Sequence, residues 1–139
     1  MANFFDISQF DSYKEDNRRE VKRANGGLPN DMWETYSAYA NTYGGVIILG
    51  VKELDDKHWR TTGLKLKDKE KLLDDLWNLL HNRNKVNINL LTESDVQTYD
   101  IGEDIIIVIT VPMAKRSEKP VFINTISTTG FKRNFYIFY

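Results

Sequence analysis

A chain of 139 residues with 41% hydrophobic and 12% aromatic side chains has enough apolar material for one buried core and too much Trp, Tyr and Phe for a disordered segment, so a single domain over residues 1–139 is expected. With no cysteine and only His58 and His81, the composition excludes a disulfide framework and offers no thiolate or histidine metal centre. The formal net charge of −1 excludes an overall basic polyanion binder, and no apolar run approaches the ~20 residues that cross a bilayer, so a cytoplasmic setting without membrane contact is expected.

In chain order, the first predicted element is a helix from Pro29 to Tyr43. Pro29 suits a first turn, Asp31 and Glu34 favour the positive N-terminal end, and Gly44-Gly45 can stop it. Met32, Trp33, Tyr36, Tyr39 and Ala40 then share one face, which should bury Trp33. Ala38 and Ala40 let the helix approach a strand closely, and Asn41 should cap or brace the helix end. Gly44 is the expected positive-φ residue, because glycine takes that conformation without steric cost. Val46 to Val51 is a near-continuous apolar run and reads as a central strand buried on both sides. Lys52 to Lys57 reads as a turn, and His58 to Thr62 as the returning strand. Lys67 to Asn82 sets Leu72, Leu73, Leu76, Trp77, Leu79 and Leu80 at helical spacing between charged positions, a second helix with Trp77 substantially buried. The period then changes. Val86 to Leu90 alternates, Val96 to Ile101 is strand-like, and Ile105 to Val111 is a β-branched run closed by Pro112. Val121-Phe122-Ile123 and Phe131 to Tyr139 can pair as a last hairpin across Asn124 to Gly130. The pattern predicts an α+β fold: a mixed β-sheet with two main helices.

Residues 14–23 hold five basic and three acidic side chains and residues 112–139 hold five basic and one acidic, while the rest holds nine basic against sixteen acidic. Brought together, the two segments make a positive face suited to phosphates; kept apart, they are an unevenly charged solvated surface. Nucleophilic catalysis has no support, since there is no Cys, no G-x-S-x-G elbow and no partner for either His by spacing. Gly45 to Lys52 has the glycine spacing of a P-loop, but four aliphatic residues fill the gap and Val51 separates Gly50 from Lys52. The strand reading holds, and no nucleotide-hydrolysis motif is present.

Several stretches resemble one family. Glu15-Asp16-Asn17-Arg18-Arg19-Glu20-Val21-Lys22 is similar to its E-S-x-x-V-E-F-K opening, with Glu15, Glu20 and Lys22 in the charged places. Leu28-Pro29, then Ser37 through Val51, resembles its L-P and S-A-F-A-N-T-x-G-G-x-x-x-x-G-V signature. Val111-Pro112 with Lys119-Pro120-Val121-Phe122 resembles its V-P and K-P-V-Y segment, and Thr129-Gly130-Phe131-Lys132-Arg133 its late Y-x-R strand. The family is the AlbA-like domain of Schlafen proteins and of RecG-related bacterial and archaeal proteins and transcriptional regulators.

The resemblance implies a nucleic-acid-binding, expected DNA-binding, α+β domain. Its partner would be a DNA or RNA backbone, held through a basic face of Lys22, Arg23, Lys115, Arg116, Lys119, Lys132 and Arg133, with no cofactor required. Some Schlafens carry three acidic residues that form a metal-dependent RNA-cleaving site, and Glu15, Glu20 and Glu53 occupy those places. Carboxylates converging on Mg²⁺ or Mn²⁺ would polarise a phosphoryl oxygen and activate water. The alternatives are therefore a divalent-metal-dependent nuclease, or a protein-interaction domain such as a homodimer.

Overall fold

The run Val46 to Leu49 has no polar face, and a strand of that kind is stable only with cover on both sides. The computed structural model, which describes residues 5–126 and 133–139, supplies that cover. Its elements in chain order are β1 (Arg19–Lys22), α1 (Met32–Asn41), β2 (Gly45–Leu49), β3 (Val51–Glu53), β4 (Trp59–Thr61), α2 (Leu66–Leu80), β5 (Val96–Ile101), β6 (Asp104–Val111), β7 (Phe122–Ile126) and β8 (Arg133–Ile137). Short 3₁₀ turns lie at Ile7–Ser12, Glu93–Asp95 and Arg116–Glu118. The main sheet has the order β1-β2-β6-β5, with β1 parallel to β2 and the other pairs antiparallel. Hairpins β3-β4 and β7-β8 form two smaller sheets. The fold is α+β, as the pattern predicts.

Alternation along the central strands divides the core in two. Ile47 and Leu49 of β2, with Ile107, Ile109 and Val111 of β6, face α1 and α2. Val46 and Ile48, with Ile106 and Val108, face Phe5, Phe10, Val51 and Trp59. Full burial of such an aliphatic side chain contributes about 1.5–3 kcal/mol, so both faces count. Trp33 is 2% exposed and lies in the helical core, whereas Trp77 is only half-buried and stacks on His81 at 6.1 Å between ring centroids. Leu72, Leu76 and Leu80, one stripe at four-residue intervals, are the fully buried positions of α2.

Several expectations shift. The turn of Pro29 to Asp31 closes with Met32 and Trp33 amides on the Pro29 and Asn30 carbonyls, so α1 starts at Met32. The strand predicted from Val46 to Val51 breaks at Gly50, whose φ of +91° ends β2 and redirects the chain into β3. Val86 to Leu90 is not a strand: Val86 makes an isolated bridge to Ile123. Its asparagines compete with a ladder, since Asn87 bonds Phe122 and Pro120 through its side chain and Asn89 accepts from the Leu91 amide. Gly44 does take positive φ, +78°, at the end of α1.

Candidate nucleic-acid interface

β2 defines two ends of the molecule. At its N-terminal end Gly45 pairs with Val111 and Val46 with Arg19; at its C-terminal end Leu49 pairs with Lys22 and Ile107. The expected cationic residues divide between these ends. Lys22 and Arg23 leave β1 at the Leu49 end, while Val111-Pro112 leads into Lys115, Arg116 and Lys119 at the Gly45 end. Lys132 lies outside the described residues, and Arg133 is described only as the first backbone position of β8.

The Leu49 end is electrically occupied. Lys22 Nζ lies 2.8 Å from Asp31 Oδ2 and 3.6 Å from Glu20 Oε1. Burial pulls its ammonium down, but the Asp31 hydrogen bond and the charges of Glu20 and Asp31 more than offset this and hold it above the usual lysine value. Arg23 is exposed and lines an open cleft of about 510 Å³ with Lys52, Glu53, Leu54, Asp55 and Asp56, a mixed rather than cationic surface.

At the Gly45 end the cations stand differently. Lys115, Arg116 and Lys119 are exposed, and none has an ion pair among the described residues. The nearby acid, Glu118, has its carboxylate turned to the Lys115 amide at 2.7 Å. This loop is fixed at both ends by α1. The Ala114 amide donates to the Ala40 carbonyl at 2.8 Å, and Asn41 both accepts from the Val121 amide at 2.7 Å and donates to its carbonyl at 2.8 Å. Sequence reasoning missed two residues that join the patch. Arg18 Nη1 donates to the Tyr43 carbonyl at 2.9 Å, and its guanidinium sits 4.8 Å from the centroid of the Tyr43 ring. Tyr43 is 70% exposed, next to Gly44, whose missing Cβ leaves room for the Val111–Met113 backbone. Only the inventory of charges hinted at Arg18, and nothing in the sequence marks Tyr43 as exposed.

The three acidic residues do not converge. Glu15 Oε1 accepts from the Val21 amide at 3.0 Å, taking the place of a neighbouring strand on the open edge of β1. Glu53 Oε2 accepts from the Glu15 amide at 2.6 Å and from the Trp59 indole at 3.2 Å. Glu20 turns towards α1, bonded to the Thr35 hydroxyl and beside Lys22. Among the described residues no group of three or more His, Cys, Asp or Glu is placed to hold a metal ion, so Glu15, Glu20 and Glu53 as arranged do not fit one. Glu15, Asp16, Glu20 and Glu34 instead line an open cleft of about 340 Å³ with Tyr39 and Tyr139, where the one lining cation among the described residues, Arg19, is paired with Asp16 at 2.8 Å. Burial, and after it the charges of Glu20, Asp16 and Glu15, only partly opposed by Arg18, push the Tyr39 phenol well above its usual pKa.

The profile of the Schlafen, AlbA_2 family matches residues 12–137. The chain belongs to that family. A solved structure of similar fold is the N-terminal domain of a DNA helicase RecG-related protein from Nitrosomonas europaea, with a TM-score of 0.64 and 27% identity over 96% of this chain and 85% of that one. No curated protein matches. The AlbA_2 match spans both β1 with its carboxylates and the cationic loop, and among the described residues no helix is long and apolar enough to cross a membrane.

Proposed function

We propose that this AlbA_2 domain is a nucleic-acid-binding module that grips the phosphate backbone of DNA or RNA at the Gly45 end of its sheet. The carrying observation is that Lys115, Arg116 and Lys119 are exposed, lack ion pairs among the described residues and sit on a loop held at both ends. A pre-positioned cation gains more from a phosphate than one that must first release a carboxylate, which is the position of Lys22. The RecG-related likeness supports the same reading, since that protein's name refers to a DNA helicase. Within this reading the domain is part of a DNA-directed regulator or RecG-related protein.

Fluorescence anisotropy with labelled single-stranded DNA, duplex DNA and RNA across a salt series is the test. Binding should weaken steeply with salt, each neutralised phosphate adding about 0.9 to the log-log slope on duplex and about 0.7 on single strands. Absence of salt-sensitive binding to all three would sink the reading and leave a protein-interaction domain. Manganese added to the same mixtures tests the nuclease alternative: cleavage lost in Glu20→Gln would replace a binding module with an enzyme.

A further inference from the structure

Phosphate binding alone does not use an exposed aromatic ring, yet the cationic end of this molecule carries one. Tyr43 is 70% exposed, and Met113, whose amide lies against Gly44, is 54% exposed. The ring is not loose: the Arg18 guanidinium lies over it, and the same side chain bonds the Tyr43 carbonyl. With one face under Arg18 and most of its surface exposed, the opposite face of the phenol is open to solvent. Tyr136 and Tyr139 are exposed as well, but Tyr139 lines the acidic cleft, where phosphates are repelled, and Tyr136 lies on β8. Tyr43 is set apart by its place at the end of the sheet where the cationic loop starts: its neighbour Gly44 packs on the Val111–Met113 backbone that leads into Lys115, Arg116 and Lys119.

We propose that Tyr43 is a base-stacking residue and that the domain takes single-stranded nucleic acid, with an unpaired base on the open face of Tyr43 and the adjoining phosphates on Lys115, Arg116 and Lys119. This rests on the nucleic-acid reading above and narrows it. In a duplex the base faces are covered by their neighbours, so an aromatic ring has nothing to stack on; in a single strand each base offers a face, and an aromatic platform beside a cationic track holds it. Stacking asks little of sequence, because every base has a π-face. Arg18 acts as a positioning residue: it fixes the ring and adds positive charge behind it.

The test uses the full chain and an oligonucleotide of about twelve nucleotides carrying one 2-aminopurine, as a single strand and as a duplex. The wild type should bind the single strand more tightly and quench the 2-aminopurine. Tyr43→Ala should weaken single-strand binding about tenfold or more, abolish the quenching and leave the salt slope unchanged. Tyr43→Phe should keep both affinity and quenching, and the melting temperature of each variant should match wild type because the ring is exposed. Lys115→Glu, Arg116→Glu should instead flatten the salt slope. Salt-sensitive binding that Tyr43→Ala leaves intact, or a preference for duplex, overturns stacking while phosphate binding stands. No binding by the wild type overturns both.

Discussion

A side-chain amide offers the same donor and acceptor as a peptide group, and at Asn41 both are spent on Val121, with a further bond to the Phe138 carbonyl at 3.0 Å. Ser37 completes the cluster, donating to Val121 O at 2.7 Å and accepting from the Phe138 amide at 3.1 Å. Both side chains are buried and so is Val121, whose amide and carbonyl have no water to fall back on. Each buried polar group left without a partner costs about 1–3 kcal/mol, and Asn41→Ala strands several; a loss of about 2–4 kcal/mol in urea unfolding is expected. Asn41→Asp should be no milder, since it keeps the acceptor but sets a charge against two carbonyls. Tyr36 gives a pH signature. Its hydroxyl donates to Ile88 O and accepts from the Leu90 amide, and burial, only partly opposed by that amide, pushes its pKa from 10.0 to about 12. The folded state holds the phenol protonated more tightly than the unfolded chain, so this stability is complete below pH 10 and is lost as pH rises towards 12. An ultraviolet titration should show Tyr36 and Tyr39 ionising together with alkaline unfolding, since both phenols are held above the usual value, and Tyr36→Phe should reduce that step to one tyrosine.

Among the elements, those with a single strong period were legible and those shaped by polar side chains were not. The apolar runs of β2 and β6 and the leucine stripe of α2 announce themselves because each buries a continuous surface. β1 was not predicted as a strand: its one buried apolar residue is Val21, and its outer edge is satisfied by Glu15 and Asp16 carboxylates rather than by a neighbour. Residues 86–90 misled in the opposite sense, the alternation being real but its asparagines already committed. The α1–β2 turn was readable from its glycines, and it carries the sharpest test at this scale. A Cβ on Gly44 would stand 2.7 Å from the Val111 carbonyl at φ +78°. On Gly45 it would meet the Tyr39 ring at 2.7 Å, so this glycine, more than Ala38, sets how near the helix comes to the strand. Gly44→Ala should cost about 1–3 kcal/mol, since rigid backbone rather than a movable side chain must give way. A melting temperature equal to that of wild type would mean the turn is not held by Val111.

For the molecule as a whole, the charge arithmetic of the sequence located two basic segments but not their partners, and partnership is what separates them. Lys22 stands beside Glu20, two positions back on β1, and beside Asp31, which reaches it only when the start of α1 comes up to β1. Lys115, Arg116 and Lys119 have no such partner among the described residues, and the loop that carries them is tied down through Ala114 and Val121. The two sets should therefore respond in opposite ways. Lys22 has its pKa raised above 10.5, so its contribution to stability is fully present below that pH and fades as pH climbs through the raised value. Lys22→Met should lower the melting temperature at neutral pH, lose that penalty at strongly alkaline pH, and leave the salt slope of nucleic-acid binding unchanged. Lys115→Glu, Arg116→Glu should leave the melting temperature within error and take about 1.4 from the slope on a single strand, the share of two phosphate contacts. If instead the Lys22 variant flattens the slope and the loop variant does not, the backbone runs along the Leu49 end of the sheet, and Arg23 and Lys52, not the loop, are the residues that meet it.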